Sequence, residues 1–228
     1  SSLLDRSALG SLSEQAEIFG KRMQLLLDSK PVYGDQAFAN VQNRIVGWYG
    51  TAFFSAANQK SWTYLINDLT RYLHAYAAWQ QYKFSRSLDD SWQLRQSKLR
   101  STRVVTWAAL LFLLGESNAR MDKQSWLLDN LGHTPLERLA RIMGKYDPEC
   151  FRRLLSAYEE VHVLLNESHS RAELIVTGPD SDNNCNRPRS AVFTEVHELT
   201  AQIIRLLTNF VFDRRKDWDP RFFERLIF

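Results

Sequence analysis

Apolar residues recur three and four positions apart along almost the whole chain. That period belongs to α-helices, since strand side chains change face at every residue. Residues 11 to 29 open with SLSE, where Ser11 and Glu14 form a capping-box pattern. SKPVYGD ends that helix, and Asp35 is the expected cap of the next, which runs through QAFANVQNRIVGWYGTAFFSAAN. Gly47 and Gly50 inside it cost helix stability, which predicts a close helix contact or a break there. A third helix is expected over about 61–84, a polar loop at SRSLDD, and a fourth helix over about 90–116. HTPLERLARIM has Thr134 as cap, Pro135 at the first helical position and Glu137 closing the box. YDPECFRRLLSAYEEVHVLL repeats the device with Asp147 and Pro148. TGPDSDNNCNRPRS, 177–190, reads as a loop. A long helix over about 190–214 follows, and Asp219 with Pro220 starts a short aromatic helix. That last helix is apolar to its final residue, which predicts that it is docked. ELIVTG, 173–178, is the one strand-like stretch.

These patterns predict an all-α, multi-helix bundle of about eight or nine helices, with VVTWAALLFLL, 104–114, buried at its centre. A division near ESNARMDKQ, 116–124, gives an N-terminal bundle over 1–118 and a C-terminal bundle over 119–228 that pack together. A single domain is the alternative reading.

Composition narrows the class. With 44% hydrophobic residues, the 228-residue chain can bury a substantial core. Nine Gly and six Pro are few, which suits long helices. A net charge of +3 is too small by itself to imply nucleic-acid binding. Cys150 and Cys185 make neither a disulfide framework nor a paired zinc motif, so a reducing cytoplasm is the expected compartment. No signal-peptide pattern opens the chain. The apolar run 104–114 is about half the length of a membrane span, so no membrane association is expected.

Catalytic constellations are scarce. Glu159 and His162 have the Glu-x-x-His spacing of di-iron bundles, but no second pair accompanies them. The carboxylate pairs in DSD, 180–182, and DWD, 217–219, suit loops and caps. Cys150 stands at the third position of a helix, where the dipole can lower a thiol pKa, although a small buried residue is the commoner role. There is no nucleophile elbow and no phosphate-cradling Gly-rich loop. Neither a catalytic residue, a metal site nor a bound cofactor is expected within this chain, and whether it is an enzyme stays open.

What draws attention is LINDLTRYLHAYAAW, 65–79. Leu65, Leu69, Tyr72, Leu73 and Tyr76 gather on one side of a helix. Asn67, Arg71 and His74 gather on the other, with Asp68 beside them. In the next helix, RQSKLRSTR carries Arg95, Lys98, Arg100 and Arg103. Arg95 with Lys98 and Arg100 with Arg103 form two basic edges, each about 60° wide at the helical period. Cations on two edges can hold phosphate groups across a groove, or their stems can cover core aromatics.

The two segments together resemble the helical region that follows the catalytic domain in bacterial nucleotidyltransferase-like proteins of the polymerase-β superfamily. The shared pattern is Asn-Asp-x-x-Arg-Tyr, here Asn67, Asp68, Arg71 and Tyr72, followed by Lys98, Arg100 and Arg103. The resemblance covers about residues 60 to 115, and His74 departs from it. It implies a non-catalytic accessory or substrate-binding module, a nucleotide or other phosphate-bearing ligand, and a partner catalytic domain. The Gly-Ser and Asp-x-Asp strands of that domain are not in this sequence. Small helical partners of minimal nucleotidyltransferases can also be ribonucleases with Arg followed four to six residues later by His. No such spacing occurs here: Arg71 to His74 is too short and Arg189 to His197 too long. Two other readings stand beside the first: a helical protein–protein interaction or dimerisation module, and a helical nucleic-acid binder.

Overall fold

The computed structural model describes residues 16–52, 62–86, 91–118, 120–175 and 190–227. They form an all-α bundle without strands, in ten helices of which nine are long. We label the α-helical segments α1 (Ala16–Leu27), α2 (Asp35–Gly47), α3 (Thr63–Arg86), α4 (Trp92–Lys98), α5 (Val104–Asn118), α6 (Lys123–Leu131), α7 (Pro135–Tyr146), α8 (Pro148–Asn166), α9 (Ser168–Glu173), α10 (Ala191–Asp213) and α11 (Pro220–Ile227). Two π-helical segments continue regular helices. Trp48–Ala52 extends α2, and Leu99–Arg103 joins α4 to α5 without a break.

Several boundaries have the chemistry expected of them. Thr134 and Glu137 form the reciprocal capping box at the start of α7. The Asp147 carboxylate accepts from the Cys150 amide at the start of α8. The α2 cap differs. Gly34, in the left-handed region at φ 75°, holds the N-cap position, and Asp35 is the first helical residue. Glycine enters that conformation without a Cβ penalty, and Asp35 then faces the positive end of the helix dipole. At Gly47 and Gly50 the chain stays helical rather than breaking. The helix widens to π geometry at Trp48, and a Cβ on Gly50 would sit 3.5 Å from Gln124 Oε1 and 3.7 Å from the Trp62 ring. The strand-like stretch opens instead as the end of α9 at Glu173, with Leu174 and Ile175 in a turn. Ser11, Glu14, the SRSLDD residues 87–90, Cys185 and the rest of 176–189 lie outside the described residues.

Helix α5 is the hub. From Ala108 to Asn118 every residue is buried, and α1, α3, α6, α7 and α10 all pack on it. A helix that is apolar all round has no solvent face and must be surrounded. Its polar C-terminal end, Glu-Ser-Asn, is buried because each side chain has work to do. Ser117 Oγ accepts from Trp62 Nε1 at 2.7 Å and Asn118 Oδ1 from the Trp62 amide at 2.9 Å, which pins the start of α3. The Glu116 carboxylate accepts from Lys145 Nζ at 2.6 Å, the Tyr146 hydroxyl at 2.8 Å and Trp218 Nε1 at 3.1 Å. Trp218 crosses Gly115 so closely that a Cβ there would fall 2.5 Å from its ring. Phe112 stacks on Phe210 at 5.0 Å and meets Trp218 edge-on at 5.9 Å. Phe222 is fully buried, and α11 rests on α3, so the aromatic tail is docked as its composition predicts.

Glu116 makes stability pH-dependent. Burial acts to raise its carboxyl pKa, but the Lys145, Tyr146 and Trp218 donors outweigh burial and hold it below the ordinary carboxylate value. A depressed folded-state pKa stabilises fully above the unfolded pKa and loses its effect as pH falls through the folded value. Stability should therefore drop as pH falls below about 4. Glu116→Gln should flatten that part of the pH profile in thermal unfolding. An unchanged acid limb would show that other carboxylates control it.

Candidate functional site on α3

The start of α3 is locked in place by Ser117 and Asn118, and its first turns are buried at Leu65, Ile66 and Leu69. Beyond Leu69 the helix rises out of the core. Tyr72, Leu73, Tyr76 and Ala77 are half-buried, and Arg71, His74, Trp79 and Tyr82 are exposed. The stripe of Asn67, Arg71 and His74 runs along the outer line of this rising segment. The structure divides it between two neighbours.

Arg71 belongs to the edge shared with α1 and the π turn. Asp68 is the centre of a four-residue network there. Its Oδ2 accepts from the Tyr49 hydroxyl at 2.6 Å and from Arg22 Nη2 at 3.3 Å, and its Oδ1 accepts from Arg71 Nη1 at 3.1 Å. Arg22 is 1% exposed and also donates through Nε to the Tyr49 hydroxyl at 2.9 Å. Its guanidinium lies 4.8 Å from the Trp48 ring centre and 5.4 Å from that of Tyr49. Burial raises the Tyr49 hydroxyl pKa far above its ordinary value, and the Asp68 charge adds to this. Tyr49 is thus a fixed donor to the carboxylate. Arg71, at 72% exposed, is the outward end of the network, its guanidinium 5.2 Å from the Phe19 ring centre.

His74 belongs to the opposite edge, where with Thr70 and Leu73 it lines a cavity against α5 and α10. Asn67 is half-buried between the two edges.

The four basic residues of the next helix do not converge. Arg100 Nε donates to Thr200 Oγ1 on α10 at 3.4 Å, whereas Arg103 Nη1 pairs with Asp28 at 3.0 Å just past the end of α1. Arg103 also covers the Tyr76 ring at 5.4 Å. The π segment explains the separation of this pair. More residues per turn mean that three residues advance less far around the axis, and the expected 60° edge opens toward opposite neighbours. Arg95 is half-buried and Lys98 exposed. Of the eight candidate residues, Asp68 and Arg71 touch each other directly, and Arg103 stands on the same α1 side through Asp28.

The other candidates are ordinary surface or core residues. Glu159 and His162 are both exposed. The Cys150 thiol donates to the Leu206 carbonyl at 3.8 Å, and burial, followed by the nearby Asp147 charge, pushes its pKa up. That opposes the lowering expected from a helix start and removes the activated thiolate. Among the described residues no three His, Cys, Asp or Glu side chains are grouped to hold a metal ion, and no helix is long and apolar enough to cross a membrane.

Sequence reading missed Arg22 and Tyr49. Arg22 stands on the apolar stripe of α1 with Phe19, Met23 and Leu26. A charged residue on a buried stripe was the available signal that Asp68 had a distant partner. No family model, no curated protein and no solved structure matches the chain.

Proposed function

We propose that the chain is a helical accessory module that binds a phosphate-bearing ligand, a nucleotide in the first instance, in concert with the catalytic domain of a nucleotidyltransferase-like protein. The observation that carries this reading is the support of Arg71. An exposed arginine on its own is a mobile cation. This one is held by a carboxylate that a buried arginine and a buried tyrosine fix in turn, and an aromatic ring lies beside its guanidinium. The Nη2 and Nε edge of Arg71 keeps the fork geometry that suits two phosphate oxygens. The resemblance names the ligand class, and the network supplies the preorganisation that such a contact needs.

Titration with ATP should raise the melting temperature of the wild-type chain. Arg71→Lys keeps the charge and loses the fork, so its shift should be markedly smaller. Its ligand-free melting temperature should stay within about 2 °C, because exposed ion pairs contribute only about 0–1 kcal/mol. Equal shifts in both proteins, or none in either, would contradict the role of Arg71.

A second reading, an interaction or dimerisation module, has its own observation. Trp79 and Tyr82 stack at 5.6 Å on the outer part of α3 while 52% and 45% exposed. Large aromatics held together at a surface suit a protein interface. Sedimentation that shifts with concentration would favour this reading.

A further inference from the structure

The seam between α1 and α3 carries one arrangement twice. At its first end the Arg71 guanidinium donates through Nη1 to the Asp68 carboxylate at 3.1 Å and lies 5.2 Å from the Phe19 ring centre. At its second end the Arg103 guanidinium donates through Nη1 to the Asp28 carboxylate at 3.0 Å and lies 5.4 Å from the Tyr76 ring centre. Each time one aspartate engages one nitrogen and a ring lies beside the guanidinium. The Nε and Nη2 edge of each makes no hydrogen bond or ion pair among the described residues. Both arginines reach solvent, Arg71 at 72% and Arg103 at 37% exposed. Arg71 comes from the middle of α3 and Arg103 from the π segment before α5, so packing brings the two units together and not a sequence repeat.

Phe19 and Asp28 mark the two ends along α1, a separation of about 13 Å at the helical rise. The rings between them are continuous. Phe19 meets Tyr72 edge-on at 6.4 Å, and Tyr72 is 6.3 Å from Tyr76. Gln24 Nε2, exposed on α1, donates to the Tyr72 hydroxyl at 3.3 Å. Spacings of four, three and three residues keep Tyr72, Tyr76, Trp79 and Tyr82 on one face of α3, and the last two are the exposed, stacked pair. A free nucleotide needs one guanidinium fork and one ring. Two forks on a line of rings suit a ligand in which phosphate and base repeat. Single-stranded nucleic acids are held in this way, with phosphates on cations and bases on aromatic rings or guanidinium planes. An acidic peptide would satisfy the forks but brings no flat group to the rings.

We infer that the α1–α3 seam binds a single strand of RNA or DNA, with one phosphate at Arg71, a second at Arg103 and a base on the Trp79–Tyr82 stack. The assignment rests on the phosphate role of Arg71 proposed above, and it extends the ligand from a free nucleotide to a strand.

Fluorescence anisotropy with a labelled oligouridylate and a labelled oligothymidylate, each about twelve nucleotides long, with ATP as competitor, tests the inference. Wild type should bind at least one oligonucleotide at least tenfold tighter than ATP, and the tighter of the two separates RNA from DNA. Two phosphate contacts predict a log–log salt slope of about −1.4, a loss of about sevenfold between about 50 and 200 mM salt. Arg71→Gln and Arg103→Gln should each bring the slope to about −0.7. Trp79→Ala should keep the slope and weaken binding at least about fivefold, while Trp79→Phe, which retains a ring, should keep most of the affinity. ATP binding without tighter oligonucleotide binding overturns the inference and leaves the Arg71 proposal standing. Absence of binding by ATP and by both oligonucleotides overturns the two together. A salt slope that ignores Arg103→Gln overturns the inference, because the strand then does not follow the seam. An affinity that ignores Trp79→Ala also overturns it and leaves the Trp79–Tyr82 pair to a protein interface.

Discussion

Replacing Arg138 with alanine is expected to destabilise the fold by on the order of 4 kcal/mol, a large fraction of the stability of a typical domain. Arg138 is 2% exposed and has no carboxylate within ion-pair distance among the described residues. It donates to four main-chain carbonyls instead: His133 at 2.9 Å, Leu26 at 3.1 Å, and Leu27 and Leu131 at 2.7 Å each. Leu26 and Leu27 end α1, and Leu131 ends α6. The last carbonyls of a helix have no partner within it, so one guanidinium closes two buried helix ends at once. Burial lowers its pKa to about 10, which leaves it a cation at neutral pH and favourably placed against two negative helix termini. Removing it strands several buried acceptors, each costing about 1–3 kcal/mol before relaxation. Arg138→Lys keeps the charge but presents one nitrogen to oxygens spread around a plane, so it should recover about half of the loss. Urea unfolding measures both. A loss below about 1 kcal/mol for the alanine variant would show that water or backbone movement replaces the guanidinium easily.

Asp68→Ala should also be strongly damaging, at about 3 kcal/mol, since it removes the carboxylate that accepts from both the buried Arg22 guanidinium and the Tyr49 hydroxyl. The comparison with Arg71 is the useful one. Arg71 and Arg22 bond the same carboxylate, yet one is 72% and the other 1% exposed. Arg71→Ala should cost no more than about 1 kcal/mol, because solvent screens that pair. A double change of Arg22→Met with Asp68→Leu should be less harmful than Asp68→Ala alone, since a buried ion pair is costly to break and much less costly to replace with apolar side chains. Chemical denaturation of the single and double variants gives the coupling directly. If Asp68→Ala and Arg71→Ala cost the same, the network does not extend inward from the surface as described.

The helices were legible because their signals are local. Thr134 with Glu137 and Asp147 with Pro148 specify a start within four residues, and 104–114 has no polar side to expose. The buried centre follows from that run alone. The candidate site was only partly legible because its geometry depends on contacts far apart in sequence. That Asp68 and Arg71 sit together follows from an i, i+3 spacing. Arg22 and Tyr49 come from α1 and the π turn, and nothing in the spacing of α3 points to them. The two basic edges presuppose the regular α-helical period, and the π segment at Leu99–Arg103 changes that period within the very residues concerned. His74 shares a stripe with Arg71 on a helical projection, but the packing of α10 and α11 assigns it to a cavity instead. The Gly34 cap shows the same limit on a smaller scale: Asp35 is a good capping residue, and the neighbour able to enter the left-handed region took the position.

The most direct test of the central claim, that the Arg71 network presents a phosphate-binding surface, is a chemical-shift titration of the isotopically labelled chain with ATP. The proposal predicts saturable shifts grouped at Phe19 to Arg22, Trp48 to Tyr49 and Asp68 to Tyr72, and their loss in Arg71→Lys. Shifts confined to Arg95 and Lys98, or none at millimolar ATP, would contradict it.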